Sequence, residues 1–385
     1  MPVFGFRFPI FGQKYGIVRC GLSAIFMGLI LTLPLMGTAR AEETFKIPQP
    51  GPVFEFPRDH GAHPAYKGEW WYWVGHLKAG SGEAFGYQLA FFRIALQKPD
   101  PKARSAWSLN TIYFAHLALT DTARRTFIFR DKAGREALGL SGAAAGNMRV
   151  WIDDWRAELQ GEEFHLSAQK EGLGLDLTLK PGKPPALHGE GGFSRKSQKF
   201  NSASFYYSIS RLNTRGTINV AGRLFSVNGV SWMDHEFFTS AMAPGLVGWD
   251  WFSLQLSDGW DVMLYLLRHK DGIVDPASSG TLIDPQGHTQ HLNLAEFQVK
   301  ATGAWTSPHT GTKYPAGWEV TIPGAGYRLN LTPTLADQEI RAPAPAKVTY
   351  WEGGIKIEGT KQGTPVSGQG YAELTGYAGG MGARF

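Results

Sequence analysis

The sequence has 385 residues, a formal net charge of +5 at pH 7, 48 glycines and an aromatic content of 13%. Four basic residues and no acidic residue fall within positions 1–41, so positions 42–385 carry a net charge of only +1. The chain therefore lacks the basic excess typical of nucleic-acid-binding proteins, and we expect no nucleic-acid partner. Its glycine and aromatic content is typical of β-sheet with many turns.

The first 41 residues have the pattern of a secretory signal peptide. Basic side chains precede an apolar run, and the small-residue motif Ala39-Arg40-Ala41 follows it. We expect cleavage before Glu42 and a secreted or periplasmic protein; an uncleaved membrane anchor is the alternative. No later segment has the length of a transmembrane helix, and the only cysteine, Cys20, leaves with the signal.

Alternation of apolar and polar residues follows the signal and predicts strands. The segment "AFGYQLAFFRIAL" (84–96) alternates between two faces, and Glu171-Gly172 predicts a hairpin. The segment "INVAGRLFSVNGVSW" predicts one turn at Ala221-Gly222 and a second at Asn228-Gly229. Helical patterns are sparse, and the best is "LNLAEFQVKA" (292–301). We therefore expect an all-β chain with few helices.

Two segments of the sequence resemble each other. Residues 69–93 and 248–268 each show an acid among tryptophans, a strand, a glycine turn and an aromatic strand ending in arginine. Coincidence between two ordinary hairpins is the alternative to a duplication. The repeat predicts two tandem antiparallel β-barrel domains, residues 42–200 and 201–385, joined in a polar stretch at 191–204. Barrels of about eight strands enclose room for one ligand, so we expect a hydrophobic small molecule as the partner.

The stretch "SVNGVSWMDHEFFTS" (226–240) holds three adjacent ionisable side chains in apolar surroundings. In a regular strand, Asp234 and Glu236 share one face with Trp232, roughly 7 Å apart, while His235 faces the other way. Two carboxyls in an apolar wall do not both ionise cheaply, so one keeps its proton above its usual pKa. Such a carboxyl can serve as a general acid.

Two further acids lie beside tryptophans. Glu69 shares a face with Trp71, opposite to Trp70 and Tyr72, and Arg93 is a natural counter-ion for such an inward acid. An ion pair that ties strands together is the simpler role for Glu69 and Arg93.

The second of these acids is Asp250, in "GWDWFSLQL" (248–256). Its face continues through apolar residues, whereas Trp249 and Trp251 lie on the opposite face. Structural and functional roles remain equally open for Asp250.

Other motifs are weak. His60 and His63 lie near Asp59, and His288 lies near His291, but neither group offers a full set of metal ligands. There is no G-x-S-x-G motif, no P-loop and no dinucleotide-binding glycine fingerprint. We therefore expect neither a metal nor a cofactor.

The segments "GEWWYWVGHL", "FGYQLAFFR", "SWMDHEFFTS", "GWDWFSLQLSDG", "YWEGGIKIEG" and "GYAELTGY" together resemble the AttH/carotenoid 1,2-hydratase family, across about residues 54–377. The resemblance implies two lipocalin-like β-barrel domains. One branch of the family hydrates the terminal double bond of acyclic carotenoids without a cofactor, and a fungal branch hydrates the prenyl group of an isoflavonoid. Secreted members resemble lipid-binding proteins associated with envelope export systems. The signal peptide and "WMDHEF" make this chain more similar to the secreted branch.

The hydratase reaction needs a neutral carboxylic acid to protonate an alkene and aromatic faces to stabilise the cation. The resemblance implies Asp234 as the general acid and Glu236 as the group that raises its pKa. His235 would position water if a bulge turned it inward, and Asp250 is the fourth catalytic candidate. The ligand-binding candidates are Glu69, Trp70, Trp71, Tyr72, Arg93, Trp232, Trp249 and Trp251.

The alternative function is a non-enzymatic periplasmic carrier that binds a lipid and serves an envelope export system. In that case the acids are structural ion pairs of the barrels. A hydrolase is the third candidate, behind these two, because the sequence shows no activated nucleophile.

Overall fold

The structure is a computed structural model that describes residues 45–98, 109–198, 202–240, 242–344 and 346–379. The expected signal peptide, residues 1–41, lies outside these ranges. The described chain is almost entirely strand and turn, which confirms the all-β prediction. Its helices are three 3-10 turns, at Arg58–His60, Leu294–Glu296 and Pro323–Ala325. None of these helices is long and apolar enough to cross a membrane.

The first sheet has 13 strands and forms a nearly closed antiparallel barrel in the order β4-β3-β2-β1-β13-β12-β9-β8-β7-β6-β5. Strands β10 and β11 pair with β12 beside this path. The strands are β1 (Gly68–Ala79), β2 (Ala84–Ala95), β3 (Thr111–Asp121), β4 (Thr126–Arg135), β5 (Ser141–Ala143), β6 (Arg149–Ile152), β7 (Trp155–Gln160), β8 (Glu163–Lys170), β9 (Leu173–Pro181), β10 (Ala186–Leu187), β11 (Phe193–Arg195), β12 (Ala203–Val220) and β13 (Arg223–Ser240).

The second sheet has 10 strands in the order β17-β16-β15-β14-β25-β24-β22-β21-β18, with β23 beside β24, and β19 pairs with β20 in a separate ribbon. The strands are β14 (Leu246–Leu256), β15 (Asp261–His269), β16 (Ser279–Ile283), β17 (Thr289–Asn293), β18 (Gln298–Ala301), β19 (Ala304–Thr306), β20 (Lys313–Pro315), β21 (Trp318–Ile322), β22 (Tyr327–Pro333), β23 (Glu339–Arg341), β24 (Thr349–Lys361) and β25 (Thr364–Leu374).

The chain passes from the first sheet to the second between Ser240 and Leu246. Strands β12 and β13 pair with each other and with strands of the first sheet, so they belong to that barrel. The join expected near residue 200 therefore does not coincide with the change of sheet. The long strands β12 and β13 complete the first barrel and carry the acid-rich stretch.

Successive side chains on these strands point to opposite faces, and three of the resulting buried clusters lie at or beside the candidate site. On β1, Trp71 and Trp73 point into a first core inside the first sheet, whereas Tyr72 points into a cluster that includes residues of both sheets. On β14, Phe252 enters a second core formed by the second sheet, and Trp251 enters the shared cluster. We call this shared group the intersheet cluster, and the candidate site lies there.

Two turn predictions have different outcomes. Ala221 and Gly222 join β12 to β13 with positive φ angles of 52° and 82°, which confirms that turn. The turn expected at Asn228-Gly229 is wrong, because both residues lie within β13. A Cβ on Gly229 would lie 2.0 Å from the carbonyl oxygen of His76, so glycine there permits close strand packing rather than a turn.

The best helical pattern, residues 292–301, does not form an α-helix. It comprises the end of β17, the 3-10 turn Leu294–Glu296 and strand β18. Asn293 and Glu296 form a capping box at this turn, which explains the helix-like signal in the sequence.

Candidate functional site

A pocket opens in the intersheet cluster and takes its walls from both sheets. It encloses about 900 Å³ of empty space, counted to its open mouth. Aromatic rings form most of the wall, and ionisable side chains are set among them. The lining residues are Trp70, Tyr72, Gln88, Phe92, Phe114, His116, Lys196, Tyr206, Asp234, Glu236, Trp249, Trp251, Tyr265, Leu267, Val348, Tyr350 and Glu373.

Asp234 lies in this wall and is only 4% exposed. Its carboxyl accepts hydrogen bonds from the Tyr206 hydroxyl (2.6 Å), the Trp232 indole (2.6 Å) and the Ser208 hydroxyl. Burial raises the pKa of Asp234 to about 7, because these neutral donors offset only part of the loss of hydration, and the negative charge of Glu236 adds to the rise. A substantial fraction of Asp234 is therefore protonated at neutral pH.

Glu236 lies on the same face of β13 but has a cation beside it. The Lys196 ammonium is 2.8 Å from its carboxylate, and the Ser204 hydroxyl donates to the same oxygen. Lys196 also lies over the ring of Tyr265, 4.3 Å from the centroid. Burial opposes the charge on Lys196, but the attraction of Glu236 outweighs it and raises the lysine pKa. The two acids on this face therefore have different environments.

Two more acids lie on the second sheet, where Glu352 of β24 and Glu373 of β25 are direct cross-strand partners. Burial raises the pKa of Glu373 to about 7, although the Trp249 indole donates to it at 2.6 Å. Burial and the charge of Glu373 raise the pKa of Glu352 well above its ordinary value. The Tyr72 hydroxyl and the Gln88 amide donate to Glu352, the amide at 2.8 Å.

His235 faces away from the pocket, toward the first core. Its Nε2 lies 2.9 Å from Glu69, and its Nδ1 lies 3.0 Å from the Tyr207 hydroxyl. The register between β1 and β13 is continuous through this residue. The bulge that would have turned His235 toward a bound water is therefore absent from this strand pair.

Three other predicted residues belong to the same inner cluster. Arg93 pairs with Glu69 at 2.9 Å, as expected for its counter-ion, and Trp71 packs on His235 with 5.0 Å between ring centroids. Burial opposes the ionisation of Glu69, but Arg93 and the two histidines His235 and His63 outweigh it and hold its pKa below the ordinary value. The structure thus places Glu69, Trp71 and Arg93 outside the pocket lining.

Asp250 also lies off the pocket. Its carboxylate pairs with Arg268 at 2.9 Å and accepts a hydrogen bond from the Tyr377 hydroxyl at 3.1 Å. Burial raises its pKa, and Arg268 opposes that rise. The two acid–arginine pairs differ in register: Glu69 and Arg93 are direct cross-strand partners, whereas Asp250 lies opposite Leu266 and reaches diagonally to Arg268.

Some of the predicted aromatic residues line the pocket, and one lies behind the lining residues. Trp70, Tyr72, Trp249 and Trp251 line the pocket. Trp232 lies behind it, where its indole donates to Asp234 and its ring contacts Trp251 edge-on at 6.3 Å between centroids. Trp232 is therefore placed to hold the carboxyl of Asp234 rather than a ligand.

One group of side chains has the composition of a metal site. Ligand atoms of His63, Glu69 and His235 lie within 4.8 Å of one another, which supplies partners that the His60 and His63 motif lacked in sequence. Hydrogen bonds account for this arrangement: one Glu69 oxygen lies 2.8 Å from His63 and 2.9 Å from His235, and the other accepts from Arg93. The guanidinium also repels any cation placed beside Glu69.

The comparisons with known proteins agree with this architecture. A family model described as AttH-like matches residues 47–377. The chain belongs to the AttH-like family. No curated protein sequence matches it significantly.

Among solved structures, an AttH-like protein from Nitrosomonas europaea is 34% identical, has a TM-score of 0.77 and matches 86% of this chain and 98% of its own. Kievitone hydratase from Nectria haematococca is 14% identical, with a TM-score of 0.66 and coverage of 85% and 94%. CghA, solved with Sch210972, is 13% identical, with a TM-score of 0.50 and coverage of 82% and 90%. The last two likenesses concern the fold alone.

Several residues in or beside the pocket of this AttH-like chain were not predicted from the sequence. Glu373 lines the pocket and Glu352 is its cross-strand partner; they lie in the segments "GYAELTGY" and "YWEGGIKIEG", which indicated the family and not a site. Lys196 lies in a polar stretch that resembled a linker. The remaining ones are Gln88, His116, Tyr206 and Tyr350, which appear in the sequence as ordinary residues of strands.

Proposed function

We propose that this protein is a cofactor-independent hydratase that adds water to the alkene of an isoprenoid or similar apolar ligand. One observation carries the proposal: Asp234 is a carboxyl with a pKa of about 7 in the wall of an aromatic pocket. A general acid works best when its pKa lies near the operating pH. The fold is shared with a kievitone hydratase, whose name supports this reaction class.

Asp234 is the only acid that the reaction needs, because it gives up one proton and later recovers one. Its carboxyl transfers a proton to the less substituted alkene carbon, and the π electrons form the new C–H bond, which leaves a tertiary carbocation. A water molecule bonds to the cation through its oxygen and returns one proton to the Asp234 carboxylate. The product is a tertiary alcohol, and the acid is restored for the next turnover.

The rest of the pocket supports the cation and the protonation state. The faces of Trp249, Trp251 and Tyr72 offer π electrons to a positive centre. Glu236 is paired with Lys196, so it supplies a negative charge near Asp234 that favours the protonated form of the acid. Asp234 and Glu236 thus keep the roles predicted for them, whereas His235 and Asp250 have none in this scheme.

A second candidate is a carrier that binds a lipid without reaction. The observation in its favour is that both oxygens of Asp234 already accept hydrogen bonds, from Tyr206, Trp232 and Ser208, as a structural carboxyl would. In that case, replacing Asp234 would change stability more than any activity.

Turnover in isotopically labelled water separates the two candidates. We would incubate the protein with acyclic isoprenoids (lycopene, squalene and farnesol) in ¹⁸O-water and analyse the extracts by mass spectrometry. The hydratase should yield a product heavier by one labelled water, and the Asp234→Asn variant should not. Recovery of every alkene unchanged, with binding intact, would refute the hydratase and favour the carrier.

We further propose that the protein acts outside the cytoplasm, after signal cleavage, where an envelope export system could supply or remove its ligand. The signal-like pattern of residues 1–41 supports this location. Fractionation of cells that express the full chain, with mass determination of the mature N-terminus, tests it.

A further inference from the structure

We infer that the pocket holds a neutral hydroxyl group of its ligand between His116 and Gln88, at the end of the pocket remote from Asp234. Both side chains line the pocket and are almost fully buried, at 1% and 2% exposure. Among the described residues, neither the Nε2 atom of His116 nor the Oε1 atom of Gln88 has a hydrogen-bond partner. A buried polar atom without a partner costs free energy, so its persistence beside a pocket indicates a ligand group that satisfies it.

The remaining polar atoms of the two side chains are fixed by Tyr350 and Glu352. The Tyr350 hydroxyl lies 2.8 Å from His116 Nδ1 and 3.2 Å from Gln88 Nε2. The Gln88 amide also donates to Glu352 at 2.8 Å. His116 Nε2 and Gln88 Oε1 are then the polar atoms of these two side chains without a partner in the described part of the chain, and the contacts with Tyr350 and Glu352 set the orientation of both side chains.

The chemistry of the two atoms selects a hydroxyl group. Gln88 Oε1 is an acceptor only, so it needs a donor that a ketone, ether or ester oxygen lacks. His116 Nε2 donates or accepts according to its tautomer, and a hydroxyl complements either form. A hydroxyl group can therefore pair with either atom.

The charge of the pocket excludes an anionic head group. Burial lowers the pKa of His116 to about 3, so the imidazole is neutral and offers no cation to a carboxylate or phosphate. The lining cation Lys196 is already paired with Glu236. Asp234 and Glu373 add further negative charge as they ionise. Fatty acids and phospholipids are thus poor candidates compared with neutral alcohols.

Strand register gives the separation of this hydroxyl site from the acid. Asp234, Tyr72, Ala90 and His116 are successive cross-strand partners on β13, β1, β2 and β3. Three strand spacings of about 4.8 Å place the Cα atoms of Asp234 and His116 roughly 14 Å apart along the sheet. The side chains between them are apolar or aromatic, so the pocket matches a chain with one polar end.

This geometry also names the substrate class, a step that rests on the proposed hydration. An alkene beside Asp234 and a hydroxyl beside His116 belong to one molecule only if it is an unsaturated isoprenoid alcohol of sufficient length. A pure hydrocarbon would leave both His116 and Gln88 without partners.

The test compares two probes that differ by one oxygen: farnesol and the hydrocarbon in which its hydroxyl is replaced by hydrogen. Binding is followed through the fluorescence of the pocket tryptophans. We expect farnesol to bind the wild-type protein at least about tenfold more tightly, because the hydrocarbon leaves buried polar atoms unpaired. Equal affinities in the wild-type protein would overturn the inference without need of any variant.

Variants then test whether Gln88 and His116 cause the preference for farnesol. In the double variant Gln88→Met with His116→Phe, we expect the two probes to bind within about twofold of each other. The control is Gln255→Met, which removes a buried glutamine outside the pocket lining and should keep the preference. A preference that survived in the double variant would place the hydroxyl elsewhere and contradict the assignment. Because the binding preference and the incorporation of labelled water are separate measurements, a preference for farnesol stands even if the labelled-water assay refutes hydration.

Discussion

Buried acids lie on both sides of β13, in opposite states. Toward the pocket, Asp234 has a pKa of about 7; toward the first core, His235 contacts Glu69, whose pKa lies below its ordinary value. Both carboxyls are nearly inaccessible, so burial alone does not distinguish them. Asp234 has three neutral donors, whereas Glu69 has the Arg93 guanidinium as well as imidazoles. The nature of the partner therefore decides whether burial raises the pKa of an acid of this chain or a cation holds it low.

The second sheet repeats the contrast. Asp250 is paired with Arg268 and lies off the pocket, whereas Glu373 lines it with an indole as its hydrogen-bond donor. Each half thus contributes one acid–arginine pair to a barrel wall and at least one acid without an arginine to the pocket between the sheets. Substitutions on the two sides of this division should therefore have different effects.

The largest effect is expected on turnover in Asp234→Asn. The amide has no acidic proton, so kcat should fall by about a thousandfold, within the usual range for loss of a general acid. Binding of the ligand should change little, because the side chain keeps its size. Asp250→Asn is the control: it should lower stability but retain the rate of the folded enzyme. A similar loss of kcat in both variants would contradict the division.

The second effect concerns stability. Glu69→Gln leaves Arg93 buried without its carboxylate, and we expect the free energy of unfolding to fall by about 3–5 kcal/mol. Urea denaturation at neutral pH measures it. Glu163→Gln breaks an exposed pair with Arg215, and solvent screening should leave the free energy of unfolding almost unchanged. Equal losses in the two variants would show that the inner cluster is not the structural anchor.

The third prediction uses the sign of the pKa shifts. The pKa of Glu373 is raised from 4.5 to about 7. Between these pH values the folded protein keeps the proton of Glu373, whereas the unfolded chain loses it. Stability from this group is present below about pH 4.5 and is lost as the pH rises toward 7. Glu373→Gln removes the penalty and should be more stable than the wild type at pH 8, by on the order of 2 kcal/mol. The advantage should vanish near pH 4.

The opposite trend is expected from Glu69. The pKa of Glu69 is lowered below its ordinary value of 4.5. The contribution of Glu69 to stability is therefore present above pH 4.5 and is lost as the pH falls below that value. Urea titrations across this range should therefore show Glu69→Gln and Glu373→Gln differing from the wild type at opposite ends. The same pH dependence in both variants would contradict the contrast.

The smallest effect is a shift in the pH profile of turnover. The Tyr206 hydroxyl donates to Asp234 and lowers its pKa, so Tyr206→Phe should raise that pKa by less than about one unit. The alkaline limb of the kcat profile should move to higher pH. Tyr207→Phe, which alters the His235 side of the strand, should leave the limb in place. A shift of the limb to lower pH in Tyr206→Phe would contradict the assignment of Asp234.

Much of this division follows from the sequence, because strand period is a local property. Alternation correctly placed Asp234 and Glu236 on one face of β13 and His235 on the other. It also indicated Arg93 as a counter-ion for an inward acid, and the strand register shows that this acid is Glu69. The same rule separated Asp250 from Trp249 and Trp251. Local glycine signals were less reliable, since Gly229 serves close packing against His76 instead of a turn.

The composition of the pocket did not follow from the sequence, because it depends on contacts between distant strands. Glu352 and Glu373 reach the pocket region from β24 and β25, more than a hundred residues after Asp234. Local sequence does not reveal that these acids lack arginine partners or that Lys196 pairs with Glu236. The face of the strand on which each residue lies was thus predictable from the sequence. The residues that the second sheet contributes to the pocket were not.

Measuring the protonation state of Asp234 near neutral pH would show whether this carboxyl can donate a proton. Difference infrared spectroscopy of the wild type minus Asp234→Asn, from about pH 6 to about pH 8, reports the carbonyl band of a protonated carboxyl. The account predicts a band that is present at pH 6 and titrates away with a midpoint near pH 7, replaced by a carboxylate signal. A carboxylate signal alone at pH 6 would show that Asp234 is an ordinary ionised acid and would contradict its role as the proton donor.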